Sequence, residues 1–138
     1  MFSSRLTGNE EVPPLVTLAT GYAFFQSDDT GGNNMNMTYA IYVNNTSRVT
    51  SANMHAGKMF ENGYMVATLF KTVTPTGELK GKLAEGIITS TNLTGPLSAK
   101  SLSDLITLIN RGGVYVNVYT EQNPTGEIRG QLSPTSPT

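Results

Sequence analysis

The chain has 138 residues, a formal net charge of -1 and only 14% charged residues, a smaller charged fraction than the roughly 25% of an average soluble domain. The length predicts one domain with its own hydrophobic core, and the few lysines and arginines give no basic patch for nucleic acid. Cysteine is absent, which excludes disulfides and thiolate chemistry, and no apolar run reaches the roughly 18 residues needed for membrane insertion.

Alternation of apolar and polar residues, broken by turn residues, predicts β-strands along most of the chain. The predicted strands are Phe2–Thr7, Val16–Ser27, Met35–Asn44, Val49–Gly57, Tyr64–Lys71, Glu78–Thr89, Val114–Tyr119 and Glu127–Leu132. About eight short strands with regular turn signals are typical of a β-sandwich or a small barrel. The sequence therefore predicts an all-β fold.

The same alternation predicts which side chains face the core. In the strand over residues 35–44 the odd-numbered residues are expected inside, whereas Tyr42 is expected to face solvent. In the strand that begins at Val114 the valines are expected inside. The residues that alternate with them are expected on the exposed face: Tyr115, Asn117 and Tyr119. Such tyrosines can stack on sugars or on a partner, but strand aromatics mostly fill cross-strand contacts.

One segment has helical rather than strand spacing. Its apolar residues predict a short helix over residues 102–109, with Ser101 as the N-terminal cap and Gly112 just past the end. Beyond the last strand, residues 133–138 are serine, threonine and proline, which is typical of a linker or tail. The predicted organisation is one domain over residues 1–132 followed by this tail.

Three segments resemble the CHRD (chordin) family. They are residues 6–14 (LTGNEEVPP), the block that begins with Glu61-Asn62-Gly63, and residues 115–132, which run from YVNVYT to GEIRGQL. The resemblance covers nearly the whole chain in order. It implies a Greek-key-like β-sandwich, either immunoglobulin-like or Cu/Zn superoxide dismutase-like, in an extracytoplasmic protein. Met1–Arg5 lacks the apolar stretch of a signal peptide, so the chain is expected to be either cytosolic or a mature exported form, and the resemblance favours the second.

Several residues of these segments are predicted to have structural roles. Pro13 and Pro14 remove two backbone donors and fix an extended corner, and residues 123–126 form a turn. Arg129 shares a strand face with Glu127 and is expected to reach Glu10 or Glu11 across the sheet as a structural clamp. The predicted structural set is Glu11, Pro13, Pro14, Asn117, Glu127 and Arg129.

The resemblance also raises a metal site. Many family members carry a His-x-His and a third histidine, and the matching positions here are Asn53, His55 and Tyr119. His55 is the only histidine of the chain, and one imidazole is too few ligands for copper or zinc. The turn over residues 28–34 offers oxygens to calcium but lacks the spacing of a calcium loop. We therefore predict no metal and no cofactor, with His55 as the one weak candidate ligand and a hydrogen-bonded structural role for it.

Four sequons are the main surface feature. Asn36, Asn44, Asn45 and Asn92 each begin an Asn-x-Ser/Thr triplet that fits the N-glycan acceptor rule. Asn36 and Asn44 share the strand face expected to be exposed, Asn45 is placed in the following turn and Asn92 in a loop. Attached glycans would supply the solvation that charge does not.

These observations favour a non-enzymatic structural or interaction module at the cell surface or outside the cell. The module is expected to be a secreted glycoprotein that self-associates through terminal or edge strands into a surface layer or filament. Two alternatives remain. One is a copper-dependent redox protein like superoxide dismutase, which has only His55 in its favour, and the other is a secreted ligand-binding domain, which rests on family analogy.

Overall fold

The computed structural model describes residues 1–29 and 35–135. The strands are β1 (Phe2–Thr7), β2 (Thr20–Asp29), β3 (Met35–Ser47), β4 (Val49–Ala56), β5 (Met65–Lys71), β6 (Glu78–Ile88), β7 (Val114–Thr120), β8 (Ile128–Gln131) and the two-residue β9 (Ser133–Pro134). The α-helix within these residues is α1 (Leu102–Asn110). The predicted all-β class with a short helix is confirmed.

The strands form one antiparallel sheet in the order β5-β4-β7-β8-β1-β2-β3-β6, with β9 paired to the start of β1. The sheet curls until its two edge strands, β5 and β6, come into contact. Across this seam the Tyr39 hydroxyl of β3 donates a hydrogen bond to the Leu69 carbonyl of β5 at 2.6 Å. The result is a sandwich-like, nearly closed sheet with its core inside.

The core is filled by alternate strand residues and closed by α1. Met37, Ile41 and Val43 of β3 are buried and Tyr42 is exposed, so the predicted facing of this strand is confirmed. Leu105 of α1 packs into the same core, and Ser101 and residue 104 form the predicted cap. None of the described helices is long and apolar enough to cross a membrane.

The start of β2 differs from the prediction. The strand begins at Thr20 rather than Val16, because Val16 and Leu18 point into solvent with exposed fractions of 102% and 84%. Residues 15–19 instead cross the surface as a loop, in which Thr17 donates to the side chain of Glu127 at 2.7 Å. The alternation of apolar and polar residues in this loop is the same as that of a strand, which is why the predicted start at Val16 is wrong.

The first and the last described segments of the chain are both paired within the sheet. β1 lies between β2 on one side and β8 and β9 on the other, and its Phe2 and Leu6 are buried. The backbone N–H of Thr135 donates to the carbonyl of Met1 at 2.8 Å. The predicted tail therefore begins inside the sheet at Ser133, and residues 136–138 lie outside the described part.

Candidate functional site

A cavity of about 340 Å³ lies on the outer face of β7. The segment after β1 forms one wall, and β4 and the chain between β4 and β5 form another. We call residues 8–17 the strap and residues 57–64 the anchor loop. The cavity brings together three groups of predicted site residues: Glu11, Pro13 and Pro14 from the strap, His55 from β4, and Tyr115, Asn117 and Tyr119 from β7.

The expectation that this face of β7 is exposed is wrong. Tyr115 and Asn117 are only 2% and 4% exposed, and Tyr119 is half-buried. The valines of β7 do face the core, as predicted, so β7 is covered on both faces. The cover on the outer face comes from the strap and the anchor loop, which are distant in sequence and therefore invisible to the periodicity of the strand itself.

Arg129 of β8 holds the anchor loop through hydrogen bonds. Its side chain is 1% exposed and donates to Oδ1 of Asn62 at 3.0 Å, to the carbonyl of Lys58 at 3.1 Å and to the carbonyl of Glu61. Its guanidinium carbon lies 3.5 Å from the centre of the Tyr115 ring, a cation–π contact. The predicted clamp to Glu10 or Glu11 is not formed, because the donors of the guanidinium point to the anchor loop instead.

His55 has a structural position, with both ring nitrogens engaged. Nδ1 lies 2.9 Å from the Gly63 carbonyl and Nε2 contacts the Tyr119 hydroxyl, while the ring stacks on Tyr115 at 4.9 Å between centroids. Burial lowers the pKa of His55 and raises the pKa of Tyr119 to about 12, although a hydrogen bond with Asn53 opposes the second shift. The neutral imidazole thus donates to Gly63 and accepts from Tyr119.

Glu127 lies at the turn before β8, where its side chain accepts three hydrogen bonds. It accepts from Thr17 at 2.7 Å, from Thr120 at 2.8 Å and from Asn123 at 3.3 Å. The turn predicted over residues 123–126 is present, because the N–H of Gly126 donates to the carbonyl of Asn123 at 3.0 Å. Three donors from the strap and from this turn therefore meet on one side chain.

The residues present do not fit a copper or zinc site. Asn53 and His55 share a face of β4, and Tyr119 meets His55 from β7, so the three positions do lie together. Only His55 is an imidazole, and both its nitrogens are already bonded. Among the described residues, no group of three or more His, Cys, Asp and Glu side chains is placed to hold a metal ion.

We therefore expect native protein to contain no stoichiometric copper or zinc by elemental analysis. The double variant Asn53→His, Tyr119→His restores three imidazoles at adjoining positions and is expected to bind about one zinc ion per chain, because three nitrogen ligands suffice for an open zinc site. Adding His55→Gln to that variant is the control and should remove the binding. One tightly held metal ion per chain in the parent protein would contradict the prediction.

The sequons lie at different depths. Asn44, Asn45 and Asn92 are exposed, whereas Asn36 is half-buried. Asn45 does not lie in a turn as expected. β3 continues to Ser47 around a bulge at Asn45, and the tight turn is at Arg48, which has a φ of 58°. The proposed polar turn over residues 28–34 falls outside the described residues from residue 30 onward.

Comparison with known proteins gives a family match. The family model described as the CHRD domain matches residues 2–132 of the chain. No curated protein matches the chain, and no solved structure does. The matched range contains the strap, the anchor loop and every residue of the cavity described above.

Proposed function

The chain belongs to the CHRD domain family, and on that premise we propose that it is an extracellular, non-enzymatic interaction module whose anchor loop contacts a second copy of the chain. CHRD domains are generally found in secreted proteins, which supports the location. Two residues that line the cavity support the non-enzymatic role, because His55 and Tyr115 both bond to Gly63 of the anchor loop. His55 in particular has no free nitrogen to act as a base.

The observation that carries the proposal is a loop whose backbone is hydrogen-bonded to the sheet while its aromatic side chains are exposed. Phe60 and Tyr64 are 72% and 78% exposed, yet the backbone around them is bonded to Arg129, to His55 and to the Tyr115 hydroxyl. Large aromatic residues are frequent binding hot spots. Fixing the backbone that carries them before binding reduces the entropy lost on association. A hydrogen-bonded loop that exposes two such rings is suited to docking.

A second exposed surface could receive the anchor loop. Tyr22 and Phe24 of β2 stack with ring centres 6.4 Å apart, and Tyr42 of β3 meets Phe24 edge-on at 6.2 Å. We call these three residues the aromatic face; all three are more than a third exposed. A contact between two different surfaces is heterologous, and repeated contacts of this kind build filaments unless they close into a ring. The proposal thus includes assembly into a filament.

This route is better supported than the terminal or edge strands predicted from the sequence. Release of β1 would expose buried side chains and break its pairing with β2, β8 and β9. The edge strand β6 carries Glu78, Lys80, Lys82 and Glu85, although the chain as a whole has few charges. Charges along an edge strand disfavour strand addition. Contact through the anchor loop requires neither step.

Sedimentation of two double variants tests the proposal. Phe60→Ser with Tyr64→Ser alters only the anchor loop, and Phe24→Ser with Tyr22→Ser alters only the aromatic face. Each is expected to be monomeric at concentrations at which the parent assembles. An equimolar mixture is expected to form dimers, because each variant keeps one intact surface. A parent that stays monomeric at high concentration, or variants that assemble as it does, would overturn the proposal.

Glycosylation is part of the proposal, and we expect it at the exposed sequons. Protein from its native source should lose mass on enzymatic deglycosylation, with attachment at Asn92 and at Asn44 or Asn45. Asn36 is expected to carry less glycan, because its side chain is half-buried in β3. Intact-mass measurement before and after treatment decides the matter, with the Asn92→Gln variant as the control for site assignment. An unchanged mass would show that the sequons are unused.

A further inference from the structure

The strap contains a buried carboxyl group with an incomplete set of hydrogen bonds. Glu11 is 6% exposed, and its Oε1 accepts from Nδ2 of Asn117 at 3.4 Å. Its other oxygen, Oε2, is buried without a hydrogen-bond partner among the described residues, and so is Oδ1 of Asn117. Two neighbouring side chains therefore each have one satisfied atom and one buried acceptor without a donor, which is costly.

The nearby charged groups do not supply the missing donor. Arg129 directs its guanidinium to the anchor loop, and Glu127 accepts hydrogen bonds from three donors rather than donating one. The Tyr119 hydroxyl contacts His55, and that imidazole donates to Gly63. Both unpartnered oxygens are shielded from solvent, so a ligand in the cavity does not reach them.

We propose that Glu11 is a protonated carboxylic acid in the folded protein, that it forms a cyclic acid–amide pair with Asn117, and that loss of this proton releases the strap. A proton on Oε2 turns that atom into a donor toward Oδ1 of Asn117, while Nδ2 of Asn117 continues to donate to Oε1. One proton thus satisfies both unpartnered atoms. Of the two nearby carboxyl groups, Glu127 accepts hydrogen bonds from three donors, whereas Glu11 accepts from one.

The direction of the titration agrees with this arrangement. Burial raises the pKa of Glu11 from 4.5 to about 7, with the nearby carboxylate of Glu127 adding to the rise, and the hydrogen bond from Asn117 and the charge of Arg129 opposing it. A raised folded-state pKa means that the proton stabilises the folded strap fully below pH 4.5. That stabilisation is lost as the pH rises through about 7. Burial lowers the pKa of His55, which makes stability rise with pH rather than fall. Variants of Glu11 are therefore needed to separate its contribution from that of His55.

Among residues 1–29 and 35–135, the strap has few other hydrogen bonds that would resist its release. The N–H groups of Glu11 and Leu15 both donate to the carbonyl of Gly8, at 3.1 and 2.9 Å, which shapes the strap without fixing it to the sheet. Asn62 of the anchor loop donates to the carbonyl of Val12 at 3.1 Å, and Thr17 reaches Glu127. Because Val12 and Asn62 are joined, release of the strap also removes one support of the anchor loop.

Carbon NMR of the Glu11 carboxyl, with hydrogen exchange of the Glu11 and Leu15 amides, tests the proposal on the full chain. The carboxyl is expected to titrate near pH 7. After correction for the intrinsic rate, the opening equilibrium of the two amides should rise about 30-fold between pH 5.5 and 8.5, the change that the two pKa values imply. Titration near 4.5, or an opening equilibrium that does not change with pH, would overturn the proposal.

The variant Glu11→Gln provides the sharpest control, because a glutamine amide forms the same cyclic pair with Asn117 and has no proton to lose. Its strap is expected to stay protected at pH 8.5, whereas Glu10→Gln, a neutralised carboxyl on the same turn, should behave as the parent. If Glu11→Gln opens at pH 8.5 as the parent does, the pair does not hold the strap. None of these readouts depends on self-association, so this inference and the proposed function can fail separately.

Discussion

Arg129→Met is expected to lower the free energy of unfolding by about 4 kcal/mol, since it leaves the Lys58 and Glu61 carbonyls and the Asn62 side chain without their donor. Methionine fills much of the arginine volume, so the loss comes mainly from unmade hydrogen bonds and from the lost contact with Tyr115. Urea denaturation measures the change. Hydrogen exchange should show the anchor loop opening first, because Arg129 is its main support.

Two further variants separate geometry from charge. Arg129→Lys keeps the charge but cannot donate to several acceptors at once in a planar arrangement. It should therefore lower the free energy of unfolding by most of the amount expected for Arg129→Met. Arg48→Met removes an exposed arginine paired with Glu121, and it should have a much smaller effect, because exposed ion pairs contribute little. If Arg129→Met were no more destabilising than Arg48→Met, the anchor loop would not depend on the buried guanidinium.

The strands could be predicted from the sequence because their signal is local. β1 has the predicted bounds, and β3 buries Met37, Ile41 and Val43, three of the residues that its alternation selects. The short helix was equally readable from the spacing of Leu102, Leu105 and Ile109 and from the cap at Ser101, all of which the structure confirms. In each case one face of one element is buried, so the periodicity of a few residues is enough to predict both the type of element and its buried face.

The prediction failed where a distant segment changes what a strand faces. Alternation with core valines predicts that Tyr115 and Asn117 face solvent, but the strap and the anchor loop bury them. Val16 and Leu18 illustrate the converse error, since a regular apolar alternation lies on an exposed loop. Both errors come from contacts between segments far apart in sequence, which no short window of residues records.

The residues of the candidate site could be predicted from the sequence, but their contacts could not. The resemblance identified Glu11, Asn117 and Arg129 as candidate structural residues, but the sequence did not predict which residues they contact. Arg129 bonds to residues about seventy positions earlier in the chain, and the predicted carboxylate partner gave way to backbone carbonyls. Nothing in the sequence around Asn117 predicts that its amide meets the carboxyl of Glu11, because the two residues are 106 positions apart in the chain.

Gly63→Ala is expected to be the most disruptive small substitution in the anchor loop, with a loss of about 3 kcal/mol or more in the free energy of unfolding. A methyl group at this position would overlap the carbonyl oxygen and carbon of Ala56, which are backbone atoms and cannot rotate away. The loop would have to move from β4. That movement breaks the bond from the N–H of Ala56 to the Tyr64 carbonyl, the contact of His55 with Gly63, and the bond from the Gly63 N–H to the Tyr115 hydroxyl.

Gly77→Ala is the matched control, because a methyl group there meets nothing within 4 Å. It should leave stability unchanged or raise it by a few tenths of a kcal/mol through the smaller conformational entropy of the unfolded chain. Thermal and urea denaturation of both variants measures the difference. In Gly63→Ala the altered contacts of His55 should also shift its ring NMR signals, while Gly77→Ala leaves them in place. Equal stability of the two variants would contradict the close packing of the anchor loop against the backbone of Ala56.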